Sequence, residues 1–522
     1  MEASIPVWWL SLVIPFIVGV AGSIVRARPR LLAYALAVSL LIPGAAALHY
    51  LARGLVGSGV WDPYTIDLSS YGIGQFRLFV DGLSAPVLLG VSLVTALVSV
   101  YSIRYMATRI EEMEAEGEKP RSIWAYYALY SSFAVAMLGM ALSSNLIEFY
   151  IFLELSLIAS FLLILFYGYG DRKRIALLYF IWTHVAGALF LAGILYYGLT
   201  AGSFDVALEA PSGVAYVEPA RTIVGDAASI MAVLVILGLF IKMAVLGVHM
   251  WLPYAHAEAP TPVSALLSPN LIGLAGYAMA RFALPLFPDT LSSMSTYLVA
   301  LGLATIIYGG LVALRQDDFK RLLAYSSVSQ MGYLLLGIGT LTAFGIAGAM
   351  IHYLSHAFGK AVLFTVAGVF ITELHGLRSI SRMGGLARAY PLMAAAALLG
   401  FMHLVGMPPT VGMWSELLIT IGVVKYFPAS QPGGVLLLAL LLIIAFGVSA
   451  AYAFITMRRI FFGQLREELS RMGIVPGYEK MDEFKAVVIL LGILGVFFFI
   501  VVNMLMDPLQ TSSNILASIV SG

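Results

Sequence analysis

The sequence predicts an all-α polytopic membrane protein, and two observations carry this prediction. Hydrophobic residues make up 61% of the 522 residues and charged residues only 11%, whereas the wet surface of a soluble domain requires far more charge. Apolar runs of about 20 residues recur along the whole chain, and each could cross roughly 30 Å of hydrocarbon as a helix. We therefore expect one membrane domain built from transmembrane helices.

Hydropathy predicts about fourteen spans. They are 7–25, 31–51, 80–103, 122–142, 146–168, 175–199, 226–250, 262–286, 291–313, 322–340, 343–372, 391–423, 433–457 and 486–506. The first is interpreted as a membrane helix and not as a cleaved signal, because basic residues follow it and none precedes it. We expect loops 52–79 and 200–225 to form short hairpins or caps, and 459–485 to include an interfacial helix.

The distribution of lysine and arginine predicts the orientation. Most of these residues fall in the loops on one side of the membrane, including the Arg26, Arg28 and Arg30 group. The other side has Arg53, Arg77, Arg221 and Lys425. By the positive-inside rule the crowded side is cytoplasmic, so we expect a protein of the cytoplasmic membrane with both termini outside the cytoplasm.

Two charged residues stand out inside predicted spans, where an ionised side chain costs about 2.5–3.5 kcal/mol on translocon scales. Glu154 lies mid-span, and Lys242 has no carboxylate three or four residues away on its own helix. A buried lysine keeps its proton beside a carboxylate and loses it when the carboxylate withdraws. Glu154 and Lys242 are therefore predicted to form a proton switch, with a static ion pair as the alternative. Glu148 is either part of this chemistry or a snorkelling end residue.

A polar stripe is predicted on the eleventh span. His352, His356 and Lys360 are spaced four residues apart and share one face of a helix. Three aligned titratable residues favour a proton relay over hydrogen-bonded core histidines. Two histidines at this spacing could also bind zinc, but no suitable third ligand lies nearby in the sequence, and we expect no metal.

Prolines predict two interrupted helices. The first interruption follows Lys242, where Trp251-Leu252-Pro253 precedes two more prolines, and the second is at Pro408-Pro409, before Glu416. Two broken helices in corresponding positions are typical of inverted-repeat transporters. The breaks fall in the seventh and twelfth spans, and this odd offset predicts inverted five-helix repeats.

The remaining polar candidates lie near the breaks, inside other spans or at the membrane interface. His249, His256, Glu258 and His403 flank the breaks and either admit protons or cap helix ends. His184 and Arg281 are interpreted as satisfied polar or interface residues, and His49 and His375 as interfacial residues. We find no cofactor-binding motif and no cysteine, so we expect any electron transfer to occur in other subunits.

These motifs resemble a known family. The carriers are Val80-Asp81-Gly82-Leu83-Ser84-Ala85-Pro86, the Glu154 helix, Lys242 with the segment from Trp251 to Ser264, and Pro408-Pro409-Thr410 with Trp414-Ser415-Glu416. They resemble the antiporter-like subunits of respiratory complex I, the large Mrp Na⁺/H⁺ antiporter subunits and their counterparts in membrane-bound hydrogenase-type complexes. The likeness covers nearly the whole chain.

The resemblance implies fourteen helices with two inverted repeats and a hydrated polar axis at the bilayer midplane. It divides the single domain 1–522 into N-terminal helices (1–105), a first repeat (122–286), a second repeat (291–462) and a C-terminal segment (463–522). Glu154 and Lys242 become the paired switch, Lys360 with its histidines the central relay, and Glu416 the far exit or handover residue. A glutamate at this last position is similar to the M-type chain of complex I, and no long lateral helix of the L-type chain is expected.

Two positions depart from the family pattern. Many relatives have lysine or histidine in the eighth span, where this chain has Gly273, and histidine in the tenth span, where it has Gln330. The link between Lys242 and Lys360 would then depend on water, Gln330 and nearby serines.

The resulting functional prediction is a proton-translocating or Na⁺/H⁺-exchanging subunit of a larger membrane complex. Its expected partners are other integral membrane subunits, the lipid bilayer and protons, with sodium ions as the alternative transported ion, and no nucleic acid and no cofactor. The alternatives are a structural membrane subunit without an ion path and a stand-alone cation/proton antiporter.

Overall fold

The computed structural model describes residues 3–210, 213–216, 226–426 and 432–521, which are mostly helical. Arg221 and residues 217–225 of the second long loop lie outside the described residues. The helices are α1 Val7–Ile24, α2 Pro29–Ala52, α3 Ala85–Ala115, α4 Ile123–Leu142, α5 Leu146–Tyr167, α6 Arg172–Ala201, α7 Asp226–Met243, α8 Trp251–Glu258, α9 Thr261–Leu266, α10 Ile272–Ala278, α11 Leu284–Leu286, α12 Pro288–Leu314, α13 Phe319–Gly339, α14 Ala343–Glu373, α15 Leu386–Ala389, α16 Pro391–Leu404, α17 Gly412–Tyr426, α18 Pro432–Phe461, α19 Glu467–Arg471, α20 Glu483–Ile500 and α21 Asn503–Ser521.

The membrane-spanning character predicted from hydropathy is confirmed. Among the described residues, 12 helices are long and apolar enough to cross a membrane, and two shorter apolar helices accompany them, Ala227–Met243 and Pro391–Leu404. These shorter helices are the first arms of the two interrupted helices. The number of fourteen passages and the inverted repeats stay predictions.

The first interruption lies earlier than the prolines suggest. Helix α7 ends at Met243, and α8 begins at Trp251 with Pro253 inside it. Ala244 and Gly247 adopt positive φ angles of 58° and 95°, which stop a right-handed helix. Pro253 lies in the first turn of α8, where its missing N–H would have had no helical partner. The predicted span 226–250 was therefore too long at its second end.

The second interruption is at the predicted place. Helix α16 ends at Leu404, and α17 begins at Gly412 after the Pro408-Pro409 pair. The Thr410 hydroxyl donates to the carbonyl oxygens of Met402 and Met407 at 3.2 and 2.7 Å. Both carbonyls also accept backbone N–H groups, from Met407 to Met402 at 3.0 Å and from Thr410 to Met407 at 3.1 Å, so the backbone groups at the break are hydrogen-bonded within the protein.

Helix α14 lies at the centre of the bundle. All residues in its membrane window are buried, and so are those of the continuous segment Thr261–Leu286. That segment contains two π-helical stretches, Leu267–Leu271 and Met279–Ala283. Single-turn π segments insert an extra residue into a helix and occur often at functional sites. Because α14 is buried all round, its polar stripe faces protein on all sides.

The face opposite the crowded arginines carries small hairpins, as predicted. Strands β1 (Val60–Trp61) and β4 (Phe79–Val80) pair, as do β2 (Ile66–Asp67) with β3 (Gln75–Phe76) and β5 (Ala207–Ala210) with β6 (Gly213–Tyr216).

Helix α21 crosses the same face, and hydropathy did not predict it as a separate helix. The predicted span 486–506 joined parts of two helices, because α20 ends at Ile500 and α21 begins at Asn503. Leu505, Leu509 and Leu516 are buried on one side of α21, and this one-sided pattern differs from that of a membrane span.

A buried ion pair fastens the same end of the bundle. Arg281 is fully buried and contacts both oxygens of Asp81. Tyr277 and Tyr216 hydroxyls accept further bonds from its guanidinium at 2.9 Å. Arg281 is therefore a satisfied packing residue, because its donors have acceptors on neighbouring elements.

Candidate functional site

Glu154 lies on α5 near the lateral surface of the chain. Its Oε2 is 3.2 Å from Nδ1 of His184 on α6, and the side chains are 18% and 51% exposed. The ring of His184 stacks on Phe180 at a centroid distance of 5.4 Å. A Cβ on Gly187 would lie 2.1 Å from Oε1 of Glu154, so any larger residue at 187 would displace this carboxylate. The partner of Glu154 in this structure is thus His184.

Lys242 is buried in the last turn of α7, and its Nζ has no hydrogen-bond partner among the described residues. Glu154 acts on it electrostatically without contact. The predicted pair is therefore separated in this structure. A lysine held by no bond can move at little cost, which a switch requires.

The turn after Lys242 is followed by two residues with buried side chains, His249 and Trp251. Trp251 donates its indole N–H to the carbonyl of Ile241 at 2.8 Å, which ties α8 back to α7. His249 is buried beside Tyr308, with ring centroids 5.1 Å apart, and neither ring nitrogen has a partner among the residues described. His249 does not cap a helix end here.

His256 connects the two halves of the chain. Its buried ring stacks on Phe364 of α14 at 5.1 Å, and both ring nitrogens lack partners in the described part of the chain. Lys320 and Lys360 act on it electrostatically from two different helices. The first broken helix thus delivers a titratable group to the stripe on α14.

Lys320 was missed as a site residue, because its position at the start of a helix was interpreted as part of a charged loop. It is fully buried, and its Nζ donates to the carbonyls of Ala257 and Ala259 at the end of α8. Its ammonium lies 5.7 Å from the Tyr169 ring centroid. A cation on the last carbonyls of a helix stabilises that end, so Lys320 holds the helix that carries His256.

Lys360 is fully buried and held in place. Its Nζ donates to the Leu323 carbonyl at 2.8 Å and to the Ser326 hydroxyl, both on α13. The structure shows no carboxylate within salt-bridge distance of it in the described ranges. Lys360 therefore differs from Lys242, since two acceptors fix its position.

The two histidines continue from Lys360 toward Glu416. His356 is buried without a partner for either nitrogen among the described residues. His352 approaches the Ser415 hydroxyl with Nδ1 at 3.2 Å and stacks on Tyr333. Ser415 precedes Glu416 in the chain, so the predicted stripe reaches the second broken helix.

Glu416 lies on the second arm of that helix. A Cβ on Gly406 would lie 2.4 Å from its carboxyl carbon, and Gly406 has a positive φ of 65°. Nearby, Nδ1 of His403 is 3.0 Å from the Ser355 hydroxyl. Each glutamate of the candidate path is thus packed against a glycine.

The two departures from the family pattern have structural explanations. A Cβ on Gly273 would lie 2.6 Å from the ring of Tyr353, whose hydroxyl donates to the Asn270 carbonyl at 3.2 Å. A bulky side chain at 273 would therefore collide with Tyr353. Gln330 donates to the Leu404 carbonyl and to the Tyr452 hydroxyl, both at 3.0 Å. Gln330 thus links α13 to α16 and α18.

Glu148 is buried, and its carboxylate accepts a hydrogen bond from the backbone N–H of Ser144 at 3.3 Å. It does not extend toward solvent as a snorkelling residue would. Glu258 is half-buried, and its backbone carbonyl accepts from Tyr169 N–H at 2.8 Å. Among the described residues no group of three or more His, Cys, Asp or Glu side chains could hold a metal ion.

The candidate path is a row of buried polar atoms without protein partners in the described part of the chain. It includes atoms of Glu154, Lys242, His249, His256, His356, His352 and Glu416. An unsatisfied buried polar group costs about 1–3 kcal/mol, and ordered internal water commonly satisfies such groups in protein interiors. Their arrangement is suited to titratable groups that exchange protons with each other and with internal water.

Residues 143–431, more than half of the chain, match the family model described as NADH:quinone oxidoreductase/Mrp antiporter, TM. The chain belongs to this family. Residues 73–112 match a second model, described as NADH-Ubiquinone oxidoreductase (complex I), chain 5 N-terminus. The resemblance inferred from the motifs is therefore confirmed.

Curated relatives from this family align over most of their length. F(420)H(2) dehydrogenase subunit M of Methanosarcina mazei is 32% identical over 456 residues, covering 86% of this chain and 85% of the relative. NADH-quinone oxidoreductase subunit M of Rhodobacter capsulatus is 31% identical over 431 residues, covering 80% and 79%. Both are named as M subunits, which agrees with the M-type resemblance inferred from Glu416.

Chains of two solved membrane complexes share the fold. A chain of respiratory complex I from Thermus thermophilus superposes with a TM-score of 0.82 at 24% identity, covering 99% of this chain and 100% of that one. A chain of the Mrp complex from Dietzia sp. superposes with a TM-score of 0.79 at 24% identity, covering 97% of this chain and 52% of that one. All-α membrane subunits of multi-subunit complexes therefore have this architecture.

Proposed function

We propose that this chain translocates protons, or exchanges Na⁺ for protons, as one subunit of a multi-subunit membrane complex driven by a partner module. The row of unsatisfied buried titratable groups between the two broken helices carries the proposal. Family membership supports it, because relatives along nearly the same length are M subunits of quinone oxidoreductases and of F(420)H(2) dehydrogenase.

The proposed cycle begins at Glu154, which has two possible partners. Beside Lys242 it stabilises the ammonium, and beside His184 it leaves Lys242 without a contact, as in this structure. A buried lysine without a carboxylate releases its proton more readily. A charge change in a neighbouring subunit that draws Glu154 to His184 therefore drives a proton away from Lys242.

The proton then passes to the second half. His256 is the link, since it belongs to the first broken helix and lies against α14. Lys360, His356 and His352 carry the proton along the stripe to Glu416. The path bypasses Gly273, where Tyr353 occupies the space, and it does not use Gln330, whose amide is engaged in packing.

We also propose the orientation with both termini outside the cytoplasm. It places Lys320, Arg172 and the arginines at the end of α18 on the cytoplasmic side, in agreement with the positive-inside rule. The hairpins and α21 then lie on the outer face.

The proposal is tested in sealed vesicles that contain the assembled complex, with the pH gradient followed by a fluorescent dye. Glu154→Gln, Lys242→Met and the double variant should each abolish translocation while the complex still assembles. The control Glu111→Gln alters an exposed carboxylate and should leave the gradient unchanged. A static ion pair predicts instead that the double variant behaves like the unmodified chain, and that result would reject the relay. Repeating the assay with and without Na⁺ distinguishes proton pumping from exchange.

A further inference from the structure

A cavity of about 820 Å³ lies where α18 ends, on the face where arginines crowd. Its walls are the end of α18, the loop around Gly384 and the segment that follows Phe462. Backbone hydrogen bonds join these walls, from Gly385 N–H to the Phe462 carbonyl at 3.2 Å and from Arg466 N–H to the Gly384 carbonyl at 3.3 Å. The cavity is thus part of the folded chain.

Four arginines line this cavity, and carboxylates neutralise two of them. Arg382 pairs with Glu468, and its guanidinium lowers the pKa of that carboxyl by hydrogen bonding. Arg459 pairs with Asp317 at 3.2 Å.

Arg458 and Arg466 are the other two arginines. Both are exposed, and neither has a carboxylate partner among the described residues. Arg466 donates only to the Met383 carbonyl, at 3.5 Å. Glu467 also lines the cavity and pairs with Arg471, so the cavity presents two guanidinium groups without a carboxylate partner to an incoming anion.

An apolar stripe leads along α18 to this cavity. Leu440, Ile444 and Ile455 are 51%, 50% and 46% exposed, and the spacings of four and eleven residues place them on one helix face. Arg458 comes three residues after Ile455 on that face, and Phe462 follows four residues later with 58% exposure. Only 22% of the residues in the most apolar stretch of α18 are buried within the chain. The stripe is therefore available to hydrocarbon, and it ends in a cation.

We propose that this cavity binds the headgroup of an anionic phospholipid, with an acyl chain along the α18 stripe. Arginine binds phosphate oxygens through parallel N–H donors, and basic pockets at the cytoplasmic ends of membrane helices suit lipid headgroups. A free phosphate would use the arginines but not the stripe. The combination of cavity and stripe therefore selects a lipid over a soluble anion. The site lies apart from the proposed proton path.

The test is native mass spectrometry of the full chain, alone and within its complex, with phosphatidylglycerol or phosphatidylcholine added. We expect retention of phosphatidylglycerol over phosphatidylcholine, and a loss of about tenfold or more in the double variant Arg458→Gln/Arg466→Gln, because each guanidinium near an anionic surface contributes measurably. Arg471→Gln is the matched control, since Arg471 is 81% exposed, pairs with Glu467 and does not itself line the cavity. Unchanged thermal midpoints show that the variants remain folded.

Two further arms identify the ligand. Ile444→Ser/Ile455→Ser should weaken phosphatidylglycerol but not inorganic phosphate. Equal retention of the two lipids, or a double arginine variant that matches the control, would overturn the proposal. Inorganic phosphate that displaces the lipid completely, with no effect of the stripe variant, would assign the cavity to a soluble anion. Absence of phosphatidylglycerol from the assembled complex would assign the stripe to a neighbouring subunit.

Discussion

The two lysines of the candidate path are both buried, yet they are held differently. Lys242 has no hydrogen bond in the described part of the chain, and its carboxylate neighbour is engaged by a histidine at the lateral surface. Lys360 donates to a carbonyl and a hydroxyl on the adjacent helix. The difference indicates a division of labour, in which the first half contains the movable charge and the second half contains a fixed acceptor that receives the proton.

Among the variants that test this comparison, the largest effect is expected for the fixed lysine. Lys360→Met removes the central acceptor of the path and should reduce dye-detected proton translocation more than about tenfold, equivalent to over 1.4 kcal/mol. Lys425→Met is the control, because Lys425 lies over the Phe344 ring away from the path. A rate equal to that of the control would remove Lys360 from the relay.

The glycines beside Glu154 and Glu416 test whether transport depends on the exact position of each carboxylate. Gly187→Ala and Gly406→Ala each place a methyl group on a carboxylate, and misplacement of a reacting group by about 1 Å can cost up to about 100-fold. We expect at least a several-fold lower translocation rate. Gly447→Ala is matched to them, since its Cβ would meet nothing within 4 Å. A normal rate in Gly187→Ala would show that Glu154 tolerates displacement.

Stability should distinguish the two lysines. Replacing an unpaired buried cation with methionine removes its desolvation cost, so Lys242→Met should raise the thermal midpoint by the equivalent of about 1–3 kcal/mol. Lys360→Met removes a hydrogen-bond donor from the Leu323 carbonyl and from the Ser326 hydroxyl. It should therefore raise the thermal midpoint less than Lys242→Met does, or lower the midpoint. The measurement is thermal unfolding of the purified complex followed by fluorescence. Equal shifts in the two variants would contradict the comparison.

The smallest effect is expected from one hydroxyl. Ser326→Ala removes one of the two acceptors of Lys360 and should lower the translocation rate about two- to fivefold, the equivalent of a hydrogen bond of roughly 1 kcal/mol. Ser329→Ala serves as control, because this buried serine on the same helix donates to the Ile306 carbonyl instead. If both variants behave alike, the anchoring of Lys360 does not matter for transport.

Much of the fold could be predicted because hydrocarbon imposes long apolar helices on a sequence. Helix α21 escaped the prediction, since an amphipathic helix has too little net hydropathy to register as a span. The first break begins before the prolines, at Ala244, whose positive φ has no signal in the residue type because alanine rarely adopts it.

The candidate site shows the same limit. The stripe His352, His356 and Lys360 follows from helical periodicity alone. The pairing of Glu154 with His184, the burial of Lys320 and the closeness of His256 to α14 join residues far apart in sequence, and only the packed bundle reveals them. Titratable residues could therefore be found from the sequence, but their partners could not.

Helix α21 has a consequence for biogenesis. The backbone of Pro508 packs against Gly82, where a Cβ would lie 1.9 Å from the Pro508 carbonyl oxygen. Contacts between segments so distant in the sequence form late, because the intervening chain must first be ordered. The contact at Gly82 therefore cannot form until α21 has been synthesised, hundreds of residues later. A chain that has made this contact has already synthesised all the spans between Gly82 and Pro508.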